Sequence, residues 1–349
     1  MSKRPPTNSI HCLSRRTILK AMAAACALAG PARAFSETQT IRINIPGPLL
    51  MPFFPIELIP VLGIDRELGF RLGIRYHPTG VIALEDMLAG NADFCGTGFP
   101  VLPKFLEQGR DVVAIGRLSS GAPPYAIIVR ADLAERIQTI GDLRGHTLGV
   151  PVGSATTKTY LQMVAEMWVA AHGVSRDELR WAPITQTYDG VYGAMAGKTV
   201  DAVFCEEPYS ASLVRKGLGH LLASLNDPLN PVRVAGRDHL RAVIVTTPAR
   251  VAAHPDSVKA MARMLSRALN WASKATPEEI VSRLRIEDAE QRADIVEALA
   301  RLPTPYSSDG DFSQQEIEST REFMRAVGIR MPDNADIRTL IDDRWVKVD

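Results

Sequence analysis

The chain uses one local arrangement twice, and that repetition limits its fold more than any other feature. Residues 87–95 (Met-Leu-Ala-Gly-Asn-Ala-Asp-Phe-Cys) end a helix-like stretch, turn at Gly90 and enter an apolar strand. Residues 195–205 do the same through Gly197. In both, a glycine closes the helix, an aspartate (Asp93, Asp201) stands at the strand's mouth, and Phe-Cys lies near its carboxyl end. Two helix–turn–strand units of one design predict two similar α/β lobes.

The rest of the sequence fits around them. Residues 41–46 alternate as a half-buried strand, 52–68 are helix-like, 71–77 extended, 82–89 helical, 92–95 a strand, 101–108 a helix and 112–118 a strand. The rhythm restarts with a strand at 147–150, a long helix at 155–171, a strand at 180–183, a helix at 188–196, a strand at 200–204 and a helix at 209–216. After an extended stretch at 240–247 the chain reads as helical to its end, clearest at 257–274 with Val258, Met261, Leu265, Ala268 and Leu269 on one face. The expected fold class is α/β, with each lobe a mostly parallel sheet flanked by helices. Residues 35–130 form the first lobe and 131–236 the second. Residues 237–349 return to the first lobe and add a helical C-terminal tail.

The first 34 residues read differently. They hold six Lys or Arg and no Asp or Glu, and Ser14-Arg15-Arg16-Thr17-Ile18-Leu19-Lys20 precedes a weakly apolar run to Gly30. Pro31-Ala32-Arg33-Ala34 places small residues at the −3 and −1 positions of a cleavage site after Ala34. This reads as an export signal that resembles the twin-arginine type and is expected to place the mature chain in the periplasm. Lipid anchoring at Cys26 is the lesser alternative, because Ala23 stands where a large aliphatic residue is usual. Without those six cations, 34 basic residues face 39 acidic ones, a formal charge of −5. A mildly acidic body has no footprint for nucleic acid, so any bound anion must be held by local donors. Signal removal leaves only Cys95 and Cys205, too few for a disulfide framework and expected as small buried apolar groups.

In open α/β sheets, ligands sit beyond the carboxyl ends of strands. Pro48 and Leu49 follow the first strand, Thr97 and Gly98 the third, and Ser119 the fourth. Gly153, Ser154, Ala155, Thr156 and Thr157 follow the strand at 147–150, with Ser154 placed to cap the next helix and the amides of 155–157 converging on one point. Such a helix start suits a carboxylate, sulfonate, phosphate or nitrate, and an ordinary capped helix as well. Glu206 would receive an ammonium or another donor, or simply begin the following helix. Tyr188 offers an aromatic wall. The histidines lack metal-ligand spacing, no Gly-x-Ser-x-Gly elbow occurs, and Lys158-Thr159 lacks the glycines of a phosphate loop. No catalytic residue, metal or cofactor is expected.

Residues 140–154, Ile-Gly-Asp-Leu-Arg-Gly-His-Thr-Leu-Gly-Val-Pro-Val-Gly-Ser, resemble the second-lobe entry of ABC-importer substrate-binding proteins of the nitrate/sulfonate/taurine group. Residues 89–94, 200–203 with Glu207-Pro208, and 254–259 support the resemblance in order and spacing. It implies a two-lobed type II periplasmic-binding-protein fold that closes by hinge bending on a small ligand, a monomer, and an ABC permease as partner. The stretch 47–54 (Gly-Pro-Leu-Leu-Met-Pro-Phe-Phe) is more apolar than the group's pattern and favours an organic anion with an apolar body. Two rival readings remain open here. One is an enzyme on the same fold acting on a small molecule like a vitamin precursor; the other is an exported ligand sensor.

Overall fold

The computed structural model describes residues 39–120, 123–151, 153–226, 238–302 and 305–346. The export signal expected at 1–34 lies outside them, as do Gly121 and Ala122. Strand β1 (Gln39–Pro46) lies between β2 (Phe70–His77) and β3 (Phe94–Gly98), so both of its hydrogen-bonding edges are paired. Ile41, Ile43 and Ile45 fill one face of the pleat. On the other, Asn44 is 1% exposed and donates to the Ala83 carbonyl at 3.2 Å and to Asp86 Oδ2 at 2.8 Å. A buried amide without such partners would cost about 1–3 kcal/mol.

The first sheet has the order β2-β1-β3-β10-β4, with β4 at Val113–Arg117 and β10 at Ala242–Thr246. The second has the order β7-β6-β8-β5-β9, formed by β5 (Tyr125–Arg130), β6 (Thr147–Pro151), β7 (Arg180–Ile184), β8 (Ala202–Glu206) and β9 (Gly219–Ser224). Parallel pairs join β1 to β2 and β3, and β6 to β7 and β8. Each sheet is nonetheless mixed. The strand entering from the other sheet, β10 in the first and β5 in the second, runs antiparallel to both its neighbours. A strand arriving without a crossover helix is free to take that direction.

Helices α1 (Phe54–Leu62), α2 (Ile64–Glu67), α3 (Gly80–Leu88) and α4 (Leu102–Glu107) belong to the first sheet. Helices α5 (Tyr160–Ala171), α6 (Tyr188–Ala196) and α7 (Tyr209–Arg215) belong to the second. The region predicted as one helix over 52–68 is broken at Gly63, whose positive φ of 76° ends α1 and turns the chain into α2. Beyond β10 come α8 (Pro248–Ala253), α9 (Pro255–Ala272), α10 (Pro277–Leu284), α11 (Ala289–Arg301) and α12 (Gln314–Ala326). Helices α9 and α10 pack on α1, beside the first sheet, and α11 packs on α7, beside the second.

Candidate functional site

A cleft enclosing about 810 Å³, open mouth included, lies where the carboxyl ends of both sheets' strands face each other. The first sheet's side supplies Leu50, Met51 and Phe53 ahead of α1, Thr79, Gly80 and Val81 at the start of α3, and Thr97 and Gly98 at the end of β3. The second supplies Tyr125, Thr159, Tyr160, Leu161, Gln186 and Glu206. Its floor is Arg241 and Ala242 on the returning chain, with Ser119 and Ser120 beside them.

Two helices point their N-termini into this space, one from each side. Thr79 caps α3 by accepting from the Ile82 amide at 3.3 Å, and Thr159 caps α5 by accepting from the Gln162 amide at 3.1 Å. The first amides of each helix, at Gly80 and Val81 and at Tyr160 and Leu161, are left for a ligand or water. Between them Thr97 Oγ1 is buried without a hydrogen-bond partner, and so is the Tyr306 hydroxyl on the far wall. Unpaired buried hydroxyls cost free energy that a bound polar group would recover.

The cleft's charge comes from Arg241 and Glu206, both nearly inaccessible at 4% and 2% exposure. Arg241 donates to the Ser120 carbonyl. Glu206 ends β8 opposite Tyr125 and accepts from Gln186 Nε2 at 3.2 Å. Burial pushes its carboxyl up to about 8, against the opposing pull of Arg241. At neutral pH Glu206 is therefore largely protonated, and Arg241 leaves the cleft positive. Glu57, on α1, is likewise pushed up by burial, to about 7, although the Leu49 amide and Tyr76 favour its charged form.

These raised carboxyls predict a stability profile. The folded state keeps protons that the unfolded chain releases near pH 4.3. Their contribution is thus full below that value and lost as pH rises through 7 and 8. Between pH 6 and 8 the ligand-free protein should lose about 2 kcal/mol on account of Glu206, and Glu206→Gln should flatten that fall. Thermal melts of both proteins across this range check it; parallel profiles would mean that Glu206 is ionised throughout.

Of the residues expected at the site, Thr97, Gly98, Ser119 and Glu206 line the cleft, while Pro48, Leu49 and Tyr188 stand back from it. The Leu49 amide turns to Glu57, and Tyr188 packs edge-on against Tyr209 with ring centroids 5.0 Å apart. The helix start expected at Ala155, on which the anion site at Gly153, Ser154, Ala155, Thr156 and Thr157 was built, lies elsewhere. The helix starts five residues later than Ala155, at Tyr160, because Ser154 accepts no capping bond and its amide closes a turn on the Thr157 carbonyl at 3.0 Å. A Cβ on Gly153 would stand 1.8 Å from that carbonyl oxygen, so the turn requires glycine. Thr156 and Thr157 line a separate surface groove with Lys104, Lys158 and Arg176. Thr159 carries the cap instead, and the Thr-x-x-Gln spacing to Gln162 was the legible signal. Arg241, Tyr125, Gln186 and Tyr306 carry no motif and were missed. Cys95 and Cys205 are free and fully buried, with thiols raised by burial.

Among the described residues no helix is long and apolar enough to cross a membrane. The family model described as NMT1/THI5 like matches residues 66–280, more than half of the chain. No curated protein sequence matches it. Solved structures do. A protein of Bordetella bronchiseptica RB50 is 19% identical with a TM-score of 0.75, over 88% of this chain and 96% of that one. The alkanesulfonate-binding protein SsuA of Xanthomonas axonopodis pv. citri, bound to MOPS, is 18% identical with a TM-score of 0.66, over 87% and 98%. The periplasmic nitrate-binding protein NrtA of Synechocystis PCC 6803 is 14% identical with a TM-score of 0.58, over 75% and 70%. The two-lobed periplasmic-binding-protein fold is therefore this chain's fold.

Proposed function

The chain belongs to the NMT1/THI5-like family, and from that membership and the cleft we propose that it is a periplasmic solute-binding receptor that delivers a small organic anion to an ABC importer. The carrying observation is the cleft: Arg241 and two helix N-termini, one from each sheet, converge in a largely apolar space. A carboxylate or sulfonate on an apolar body matches it, the acid group between Arg241 and the amides and the body against Met51, Phe53, Leu161 and Tyr306. SsuA's bound MOPS, a ring-bearing sulfonate, belongs to that chemical class.

In this reading residues 1–34 direct export by the twin-arginine route, and the mature monomer performs no chemistry. Residues 35–130 with 237–349, and 131–236, move as lobes about the crossings between β4 and β5 and between β9 and β10. A ligand touching both shifts the population toward the closed form, and the permease reads that form. The test is a thermal-shift panel on residues 35–349 with alkyl and aryl sulfonates, aromatic carboxylates, nitrate and pyrimidines. At 100 times its dissociation constant a ligand adds about 2.7 kcal/mol, a rise of several degrees at this size. Stabilisation by one class of acid, recovered unaltered, is the expected result. Conversion of a stabilising compound to product would replace a receptor with an enzyme.

A further inference from the structure

The C-terminal region does not stay with one sheet. Helix α10 lies on α1 of the first lobe, but α11 lies on α7, which covers β5, β8 and β9 of the second. That attachment is charged. Asp294 of α11, 0% exposed, accepts from Ser212 Oγ at 2.5 Å and pairs with Arg215. At the rim, Lys216 pairs with Glu290, and Arg301 lies 3.9 Å from Glu207.

Immediately after α11 the chain crosses back. Leu302, Pro305 and Tyr306 line the cleft, and the strap they form is tied to the end of β4. The Ser120 amide donates to the Pro305 carbonyl at 3.0 Å, and the Ser307 amide to the Leu118 carbonyl at 2.9 Å. One wall of the cleft thus has a foot on each lobe. A fully buried carboxylate is costly unless paired, and packing alone would place an apolar residue at 294.

We infer that α11 is a clamp: Arg215 and Asp294 are positioning residues that fasten Leu302, Pro305 and Tyr306 of the cleft wall to the second lobe. Its meaning for binding rests on the reading of the cleft as the ligand site; the clamp itself is tested without ligand. Lobe separation must either peel α11 from α7 or pull the strap from β4, so the clamp sets how firmly the Tyr306 hydroxyl is held over the cleft.

Hydrogen exchange followed by mass spectrometry on the full-length chain decides this. The variants are Asp294→Asn, which keeps the shape and loses the charge, and the milder double variant Lys216→Ala with Glu290→Ala. In Asp294→Asn, peptides covering residues 302–307 should exchange at least tenfold faster while those of β1 keep their wild-type rate. The double variant should quicken the same peptides several-fold, and it decides alone should Asp294→Asn not fold. Two results overturn the proposal. One is loosening of α11 with the strap unchanged, which would mean that β4 alone holds the wall. The other is equal acceleration of strap and β1, which would reduce Asp294 to a general stabiliser. A thermal-shift panel that finds no ligand would count against the receptor reading and leave these exchange rates to decide the clamp.

Discussion

Arg241→Met is expected to weaken binding of the stabilising organic acid at least 30-fold, without unfolding the free protein. Arg241 is the one cation among the described residues that line the cleft, and it is 4% exposed. A desolvated pair between its guanidinium and a ligand acid group carries about 2–5 kcal/mol on truncation, which corresponds to this loss. The fold should survive because Glu206, the acid that lines the cleft with it, is held largely neutral by burial and is not stranded as a bare charge when the arginine leaves. Arg241→Lys should recover only part of the affinity, since an ammonium cannot offer the planar pair of donors. Calorimetric titration of the three proteins measures both effects. Wild-type affinity in Arg241→Met would place the acid group elsewhere.

Gly98→Val should abolish closure and with it most of the affinity, at least 30-fold. Gly98 ends β3 in the first sheet, and Tyr160 opens α5 in the second lobe. A Cβ at 98 would lie 2.6 Å from Tyr160 Cβ, closer than real side chains approach, and a tight 3.2 Å from its Cγ. Tyr160 has little room to yield, because its hydroxyl is bonded to His239 Nε2 at 2.8 Å and its ring packs against Tyr125 and Phe323. If the lobes part in the ligand-free protein the clash is relieved there, and the melting temperature of the ligand-free variant should stay near the wild type's. If Gly98→Val instead fails to fold, the two residues touch in every state and the lobes do not part.

The sequence carried the layout well, since hydrophobic period and glycine stops report on local structure. The twin helix–turn–strand units are α3 with β3 and α6 with β8. The paired aspartates serve both as expected at strand mouths: Asp93 accepts from the Arg42 amide at 2.8 Å and Asp201 from the Thr147 amide at 2.9 Å. What stayed hidden depends on distant contacts. The antiparallel entry of β5 and β10 is a matter of topology, not of pattern. Arg241 is one arginine among many until its strand is seated at the cleft floor. Ser154 looked like a cap because serine caps often, whereas the turn at Gly153 and the Thr159–Gln162 spacing pushed the helix start downstream. Tyr306 reaches the cleft only because the tail crosses between lobes, which no local period encodes.

A ligand gripped by both lobes at once draws them together, and small-angle scattering registers that contraction. With the acid selected by the thermal-shift panel at saturation, the wild-type radius of gyration should fall, and Gly98→Val under the same conditions should keep its ligand-free value. A wild-type protein that binds the acid but does not contract, or a Gly98→Val variant that contracts as the wild type does, would mean that the acid is not held between closing lobes.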